Sequence, residues 1–234
     1  MKNSFSIRKV LVSFIMLSLV LFSFTDLTLD ASAATKVKIT QKTYKNSAIK
    51  YPQVTGLSNK SAQKKMNTAF TDAANTAYKS LLQNKKDEKA MKSTSFCKDM
   101  PAFCNFNFEA SYKIKYNAHG KLSVLYYEYA YTGGAHGLSN VTSYNFDINT
   151  GKRNYLNDVL KTKSNFSKIH HYLFNKTKND SNLFIDNSSD LPLNKDTQFF
   201  YDHTGIFLIY QEYEIAPYSA GYPTLKVPST LYKK

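Results

Sequence analysis

The sequence contains no tryptophan, two cysteines and two arginines, Arg8 and Arg153, among 234 residues. Each scarcity excludes something. Without tryptophan, the largest stacking platform for a ligand ring is absent. With arginine nearly absent, the formal net charge of +14 is carried by lysine. The planar fork that reads bases and phosphates is therefore missing, and nucleic acid is not an expected partner. Two cysteines cannot build a cysteine-rich metal site or a multi-bridge scaffold. Long apolar runs are also scarce: Val10–Phe24 is the single one, 15 residues long, against about 20 for a membrane span.

That run has the organisation of a secretory signal. Lys2, Arg8 and Lys9 precede it, and Ala31-Ser32-Ala33 follows with small residues at the cleavage positions. Cleavage after residue 33 leaves 201 residues without an integral membrane segment, and a retained signal acting as an anchor is the rival reading. Losing three basic and two acidic residues leaves a net charge of +13. Such a lysine coat solubilises, and it also attracts anionic wall polymers. In an oxidising compartment Cys97 and Cys104, in "CKDMPAFC", are expected to form a disulfide. Closing so short a loop stabilises by roughly 2.5 kcal/mol in the chain-entropy description.

Along the mature chain, residues 35–54 read as extended. A helix follows with Ser58 as N-cap and Ala62, Met66, Phe70, Ala73, Ala77 and Leu81 on one face. Asn84–Thr94 is polar and reads as an exposed loop. Alternation in "NFNFEASYKIKYN", a turn at residues 117–120, a tyrosine-rich strand over 121–131 and a third strand over 140–148 describe an antiparallel meander. Tyr144, Phe146 and Ile148 share a face with Thr142. Tyr126, Tyr127, Tyr129 and Tyr131 place rings on both faces of one strand, which offers one face to packing and the other to an interaction surface. A second helix spans 164–178 with Phe166, Ile169, His170, Leu173 and Phe174 inward. A hairpin turns at residues 202–205, and a last strand covers 224–227. Helix-then-sheet order, used twice, is an α+β pattern: antiparallel sheets with two main helices, after a cleaved signal peptide.

No complete catalytic constellation is present. "YTGGAHG", Tyr131–Gly137, lacks the lysine, the hydroxyl residue and the following helix of a phosphate-binding loop. Three glycines between two strands are a turn whose backbone visits positive φ. Ser219 in "APYSAGYP" stands two residues before Gly221, as in a nucleophile elbow, but Pro217 occupies the place of the first glycine. A hydrolase using Ser219 or His136, with Glu212 or Glu214 as the acid, is the alternative reading. His119, His136, His170, His171 and His203 follow no metal-ligand spacing, so neither metal nor cofactor is expected.

Four segments in order, "YPQVTGLSNKSAQKKMN" (51–67), "YTGGAHG" (131–137), "FDINTGK" (146–152) followed by "LNDVL", and "YEIAPYSAGYPTLKVP" (213–228), resemble the paired domains of unknown function in the extracellular part of RsiV-type anti-sigma factors. A similar pair precedes the catalytic domain of PdaC-type peptidoglycan deacetylases. The resemblance implies an extracellular α+β module. In the RsiV type that module binds lysozyme as a sensing event; in the deacetylases it is an accessory region. Neither a cytoplasmic sigma-binding region nor a deacetylase domain is recognisable in this sequence, so neither activity is expected of it.

The expected organisation is a signal peptide over 1–33, a PdaC-type domain over 34–148 and an RsiV-like domain over 149–234, packed as one unit. The expected function is non-catalytic: a secreted, cell-wall-associated protein binding a wall hydrolase such as lysozyme, or an anionic wall polymer. The expected binding residues are Tyr131, Thr132, Gly133, Gly134, His136 and Gly137 with Tyr213, Tyr218 and Tyr222. The exported protein should begin at Ala34, which an intact mass of secreted material checks; a mass retaining residues 1–33 means an anchored protein.

Overall fold

The computed structural model describes residues 36–233, so the signal-peptide reading of residues 1–33 lies outside it. The first half of the described chain opens with a hairpin rather than one extended run. Strands β1 (Lys38–Tyr44) and β2 (Asn46–Thr55) are antiparallel and turn at Lys45, whose φ is +55°. Helix α1 (Lys60–Lys92) follows, capped by Asn59 instead of Ser58, the Asn59 Oδ1 accepting from Ala62 N at 3.0 Å.

The helix runs through the polar stretch that reads as a loop. Lys, Gln, Glu, Ala and Met are good helix formers, and side-chain pairs four residues apart support it: Gln83 with Asp87 and Lys92 with Glu88, both at 2.7 Å. Its apolar stripe stops at Leu81 because this distal part projects away from the core. A short helix α2 (Ser95–Asp99) and a 3-10 turn over Pro101–Cys104 complete the excursion. Cys97 and Cys104 are joined there, with Cα atoms 5.9 Å apart.

Strands β3 (Asn107–Ala118), β4 (Lys121–Tyr131) and β5 (Leu138–Asp147) form the expected meander. The sheet order is β1-β2-β3-β4-β5. One junction departs from the all-antiparallel reading: β2 meets β3 in parallel, at Ile49 and Ala110. The intervening α1 carries the chain back across the sheet, the long connection that a parallel pair needs.

The two faces of β4 are both covered. Leu122, Val124 and Tyr126 join Tyr144, Phe146 and Ile148 against Met66, Phe70, Ala73 and Ala77 of α1. The opposite face, expected to be free, is packed as well: Leu125 and Tyr127 meet Val141, Phe200, Ile209 and Tyr222. Burial on both sides explains a strand rich in tyrosine without an exposed aromatic face.

The covering layer is the second half of the chain. Helices α3 (Leu156–Leu160) and α4 (Lys163–Thr177) pack on a three-stranded antiparallel sheet of β6 (Gln198–Asp202), β7 (Gly205–Ile209) and β8 (Thr224–Pro228). Their core gathers Leu160, Ile169, Leu173, Phe199, Leu208 and Val227. His170 is half-buried rather than fully inward, its Nε2 3.1 Å from Leu191 O. The architecture is α+β.

Polar side chains fasten the two sheets. The N–H groups of Ser139, Val141 and Ser143 on edge strand β5 donate to Glu212 Oε2 (3.3 Å), Gln211 Oε1 (3.0 Å) and Gln198 Oε1 (2.7 Å). Gln211 Nε2 returns a bond to Val141 O at 2.8 Å. Buried Ser123 and Asn145 continue the pattern inside: Ser123 Oγ donates to Asn145 Oδ1 (2.6 Å) and accepts from Tyr201 N (2.9 Å), while Asn145 Nδ2 donates to Phe199 O (2.8 Å). An edge that would otherwise recruit foreign strands is capped by the chain's own side chains.

Two outcomes follow. Asn145→Ala leaves Phe199 O and Ser123 without their buried partner and should cost about 2–3 kcal/mol in urea denaturation. Asp202, bonded to Lys226 Nζ at 2.7 Å, has its carboxyl held well below the usual carboxylate range by that hydrogen bond, against some burial. A depressed folded-state pKa contributes stability above the unfolded value of about 3.9, and that stability is lost as pH falls. Asp202→Asn should therefore lower stability at neutral pH, by about 1 kcal/mol or less for so exposed a pair. The difference from the unsubstituted protein should narrow in acid.

Candidate functional site

The two most distinctive sequence pieces meet in space. The loop Tyr131–Gly137 joins β4 to β5, and residues 211–222 leave the end of β7 and cross beside it. The clamp of Gln211 and Glu212 on β5 is what brings them together. There His136 stacks on Tyr218, ring centroids 4.0 Å apart and 20° between planes. Tyr213 lies 5.7 Å from Tyr218 and 6.4 Å from His136. His136 Nδ1 lies 2.9 Å from Gly137 O, and its Nε2 lies 3.4 Å from the Tyr213 hydroxyl.

Three backbone features shape this three-ring platform. Gly133 and Gly134 have φ of +93° and +96°, and a Cβ on Gly133 would stand 2.7 Å from Phe103 O. The buried Gly137 leaves room for the Tyr129 ring. Tyr213 itself has φ +65° while its side chain is 53% exposed. A bulky residue in the left-handed region is strained and persists where its surroundings hold it there. From inside, Tyr131 OH donates to Gly134 O (2.9 Å) and Asn84 Nδ2 of α1 donates to Tyr131 O (3.3 Å).

Of the residues expected to form a site, Tyr131, Thr132, Gly133, Gly134, His136 and Gly137 share the loop, and Tyr213 and Tyr218 complete the platform. Tyr222 does not join it. Its ring packs on Tyr127 at 5.5 Å between the sheets, and burial pushes its pKa up to about 12, so it is a neutral packing residue. Ser219 is exposed beside Tyr218, and among the described residues no hydrogen bond joins it to His136. Glu212 is engaged with Ser139 N. The three groups of the alternative hydrolase reading are neighbours in the fold without being linked as nucleophile, base and acid.

Sequence reasoning missed the other side of the loop. Met91, Phe96, Met100 and Phe103, all exposed, line an apolar groove of about 410 Å³ with Thr132, Gly133 and Gly134. Leu138, 66% exposed, extends the apolar surface past the loop. The available signal was compositional: four large apolar residues around a disulfide in an otherwise polar stretch. Among the described residues, no group of three or more histidine, cysteine or acidic side chains is placed to hold a metal ion.

Two family models match this chain, one in each half. Residues 38–139 match the family described as "Deacetylase PdaC", and residues 147–230 match the "Protein of unknown function (DUF3298)" family. The chain thus matches these two family models in tandem. Among solved structures, a DUF3298-family protein from Bacteroides fragilis matches with a TM-score of 0.63 and 17% identity, over 86% of this chain and 92% of the other. A DUF3298-family protein from Pseudomonas aeruginosa matches with a TM-score of 0.49 and 17% identity, over 87% and 94%. No curated protein matches. The fold is shared with the Bacteroides protein across both domains.

The glycines separate turn strain from crowding. Gly133→Val, blocked by both φ and Phe103 O, should cost about 3 kcal/mol, whereas Gly134→Ala, blocked by φ alone, should cost about 1 kcal/mol. His136→Ala should stay within about 0.5 kcal/mol. Thermal unfolding of the three variants checks the ranking.

Proposed function

We propose that this protein is a secreted, non-catalytic cell-envelope module that docks a folded protein partner, a wall hydrolase such as lysozyme, on the surface around the Tyr131–Gly137 loop. The observation that carries this reading is the meeting, around one loop, of apolar and aromatic side chains from three distant segments, most of them exposed. Phe96, Met100 and Phe103 come from the disulfide-closed excursion, His136 and Leu138 from the loop, and Tyr213 and Tyr218 from the crossing segment. Soluble proteins rarely leave such groups together without a partner to cover them. Tyrosine platforms beside apolar pockets are the usual anchors of protein interfaces.

Local charge supports a basic partner. The protein is strongly basic overall, yet Glu212 and Glu214 flank Tyr213. Complementary charge is thus present at the Tyr213 end of the surface. The tandem PdaC and DUF3298 domains support an envelope setting. The glycine loop and the disulfide hold the contact residues in place before binding, which limits the ordering cost of association.

Surface-immobilised protein should retain lysozyme from solution. Tyr213→Ala and Phe96→Ser should each weaken retention at least tenfold, about 1.4 kcal/mol, while Ser219→Ala leaves it unchanged. Retention of wall hydrolases no better than of an unrelated basic protein would sink the reading. Capture of purified anionic wall polymer by the same residues would transfer the surface to that polymer. Esterase or peptidase activity lost on Ser219→Ala would replace the reading with the hydrolase one.

A further inference from the structure

At the opposite end of β4 the fold holds a larger cavity, about 1130 Å³, that the docking reading does not use. It opens where the His119–Gly120 turn of β3–β4 meets the His203–Thr204 turn of β6–β7, floored by the α3–α4 connection. Strand β4 has 11 residues, so this cleft lies roughly 30 Å from the aromatic platform at about 3.3 Å per residue. Pockets for single small molecules span about 300–1000 Å³; this one has room for several linked rings.

One wall is a continuous run of aromatic rings. His119 lies 6.1 Å from His203, His203 5.2 Å from Tyr116, and Tyr116 6.2 Å from Tyr201. Fixed polar groups line the rest. Asn154 Nδ2 donates to Tyr201 OH at 3.0 Å, which points its amide at the cleft wall, and burial pushes the Tyr201 phenol up to about 12. The carboxylates of Asp158 and Asp202 are held by Lys152 and Lys226, each at 2.7 Å, which balances their charge and leaves their remaining lone pairs as acceptors. Lys161, on the rim with φ +65°, makes no ion pair among the described residues. His119 is likewise presented from a positive φ, +48°.

Rings for stacking, donors and acceptors in alternation, and a surplus of positive charge make a distinctive set. Hydroxyl-rich rings use both donors and acceptors and lay their C–H faces on aromatic walls. Recognition of a phosphodiester strand usually leans on the planar fork of arginine instead. Arg153, the one arginine among the described residues, is committed elsewhere, 4.0 Å over the Tyr144 ring and bonded to Ser143 O. We infer that the cleft between the two hairpin turns binds a saccharide chain carrying carboxylates, held by the His119–His203–Tyr116–Tyr201 wall with Lys161 receiving an acidic group. This site is independent of the protein-docking surface.

Titration calorimetry with hexagalacturonate as the carboxylated probe, cellohexaose as the neutral one and a thymidylate hexamer as the nucleic-acid control tests the inference. Hexagalacturonate should bind, cellohexaose at least several-fold more weakly, and the thymidylate hexamer least. His203→Ala and Lys161→Glu, both exposed and on different elements, should each weaken hexagalacturonate at least tenfold without lowering the unfolding temperature. Tyr213→Ala should leave it unchanged, which separates this site from the docking surface. Absence of saccharide binding, or binding indifferent to both cleft variants, overturns the site. Equal affinity for cellohexaose overturns the acidic-ligand assignment, and tighter binding of thymidylate replaces it with nucleic acid.

Discussion

The structure depends on side chains acting as a missing strand. Edge strand β5 presents three outward N–H groups at Ser139, Val141 and Ser143, and Glu212, Gln211 and Gln198 accept all three. A neighbouring strand would have extended the sheet in its own plane. Side-chain carbonyls and carboxylates reach the same donors from the layer below, so the second half of the chain lies across the face of the first. Ser123 and Asn145 repeat the device in the interior, bonding the backbone of β6 directly. Buried polar groups so fully partnered specify one arrangement, because any shift leaves several of them unpaired.

That stacking creates two features, one at each end of β4. At the β4–β5 turn, Gln211 and Glu212 carry Tyr213 and Tyr218 to His136. At the β3–β4 turn, the alignment of β6 on β4 carries His203 to His119 and Tyr116. Neither constellation exists within one half of the chain. The two halves of the chain, each with its own apolar core, thus form the aromatic platform and the cleft only where they meet.

Strained backbone marks the same places. Lys45, His119, Lys161 and Tyr213 are the four non-glycine positive-φ residues described. Lys45 closes a hairpin, where such a conformation is ordinary. His119 and Lys161 rim the cleft, and Tyr213 tops the platform.

Much of the architecture was legible in the residues. Period-two alternation in Phe108–Ala110 and Tyr144–Ile148, the helical stripe from Ala62 to Leu81, and the glycine-bearing turns marked their elements because each depends on neighbours within a few positions. The Cys97–Cys104 pair was legible for the same reason. The distal turns of α1 were not, since a helix beyond the core needs no apolar stripe and looks like a polar loop. The burial of the second face of β4 was also hidden, because tyrosine serves equally in a core and on a surface. By itself the sequence determined the local elements, the lysine-borne charge and the candidate loop with its glycines. Only the tertiary structure decided which tyrosines are buried and which are presented, that Tyr222 packs on Tyr127 between the sheets while Tyr213 meets His136, and that a second cleft exists. Those outcomes rest on hydrogen bonds and ring contacts between residues some 70 to 90 positions apart, which no local spacing encodes.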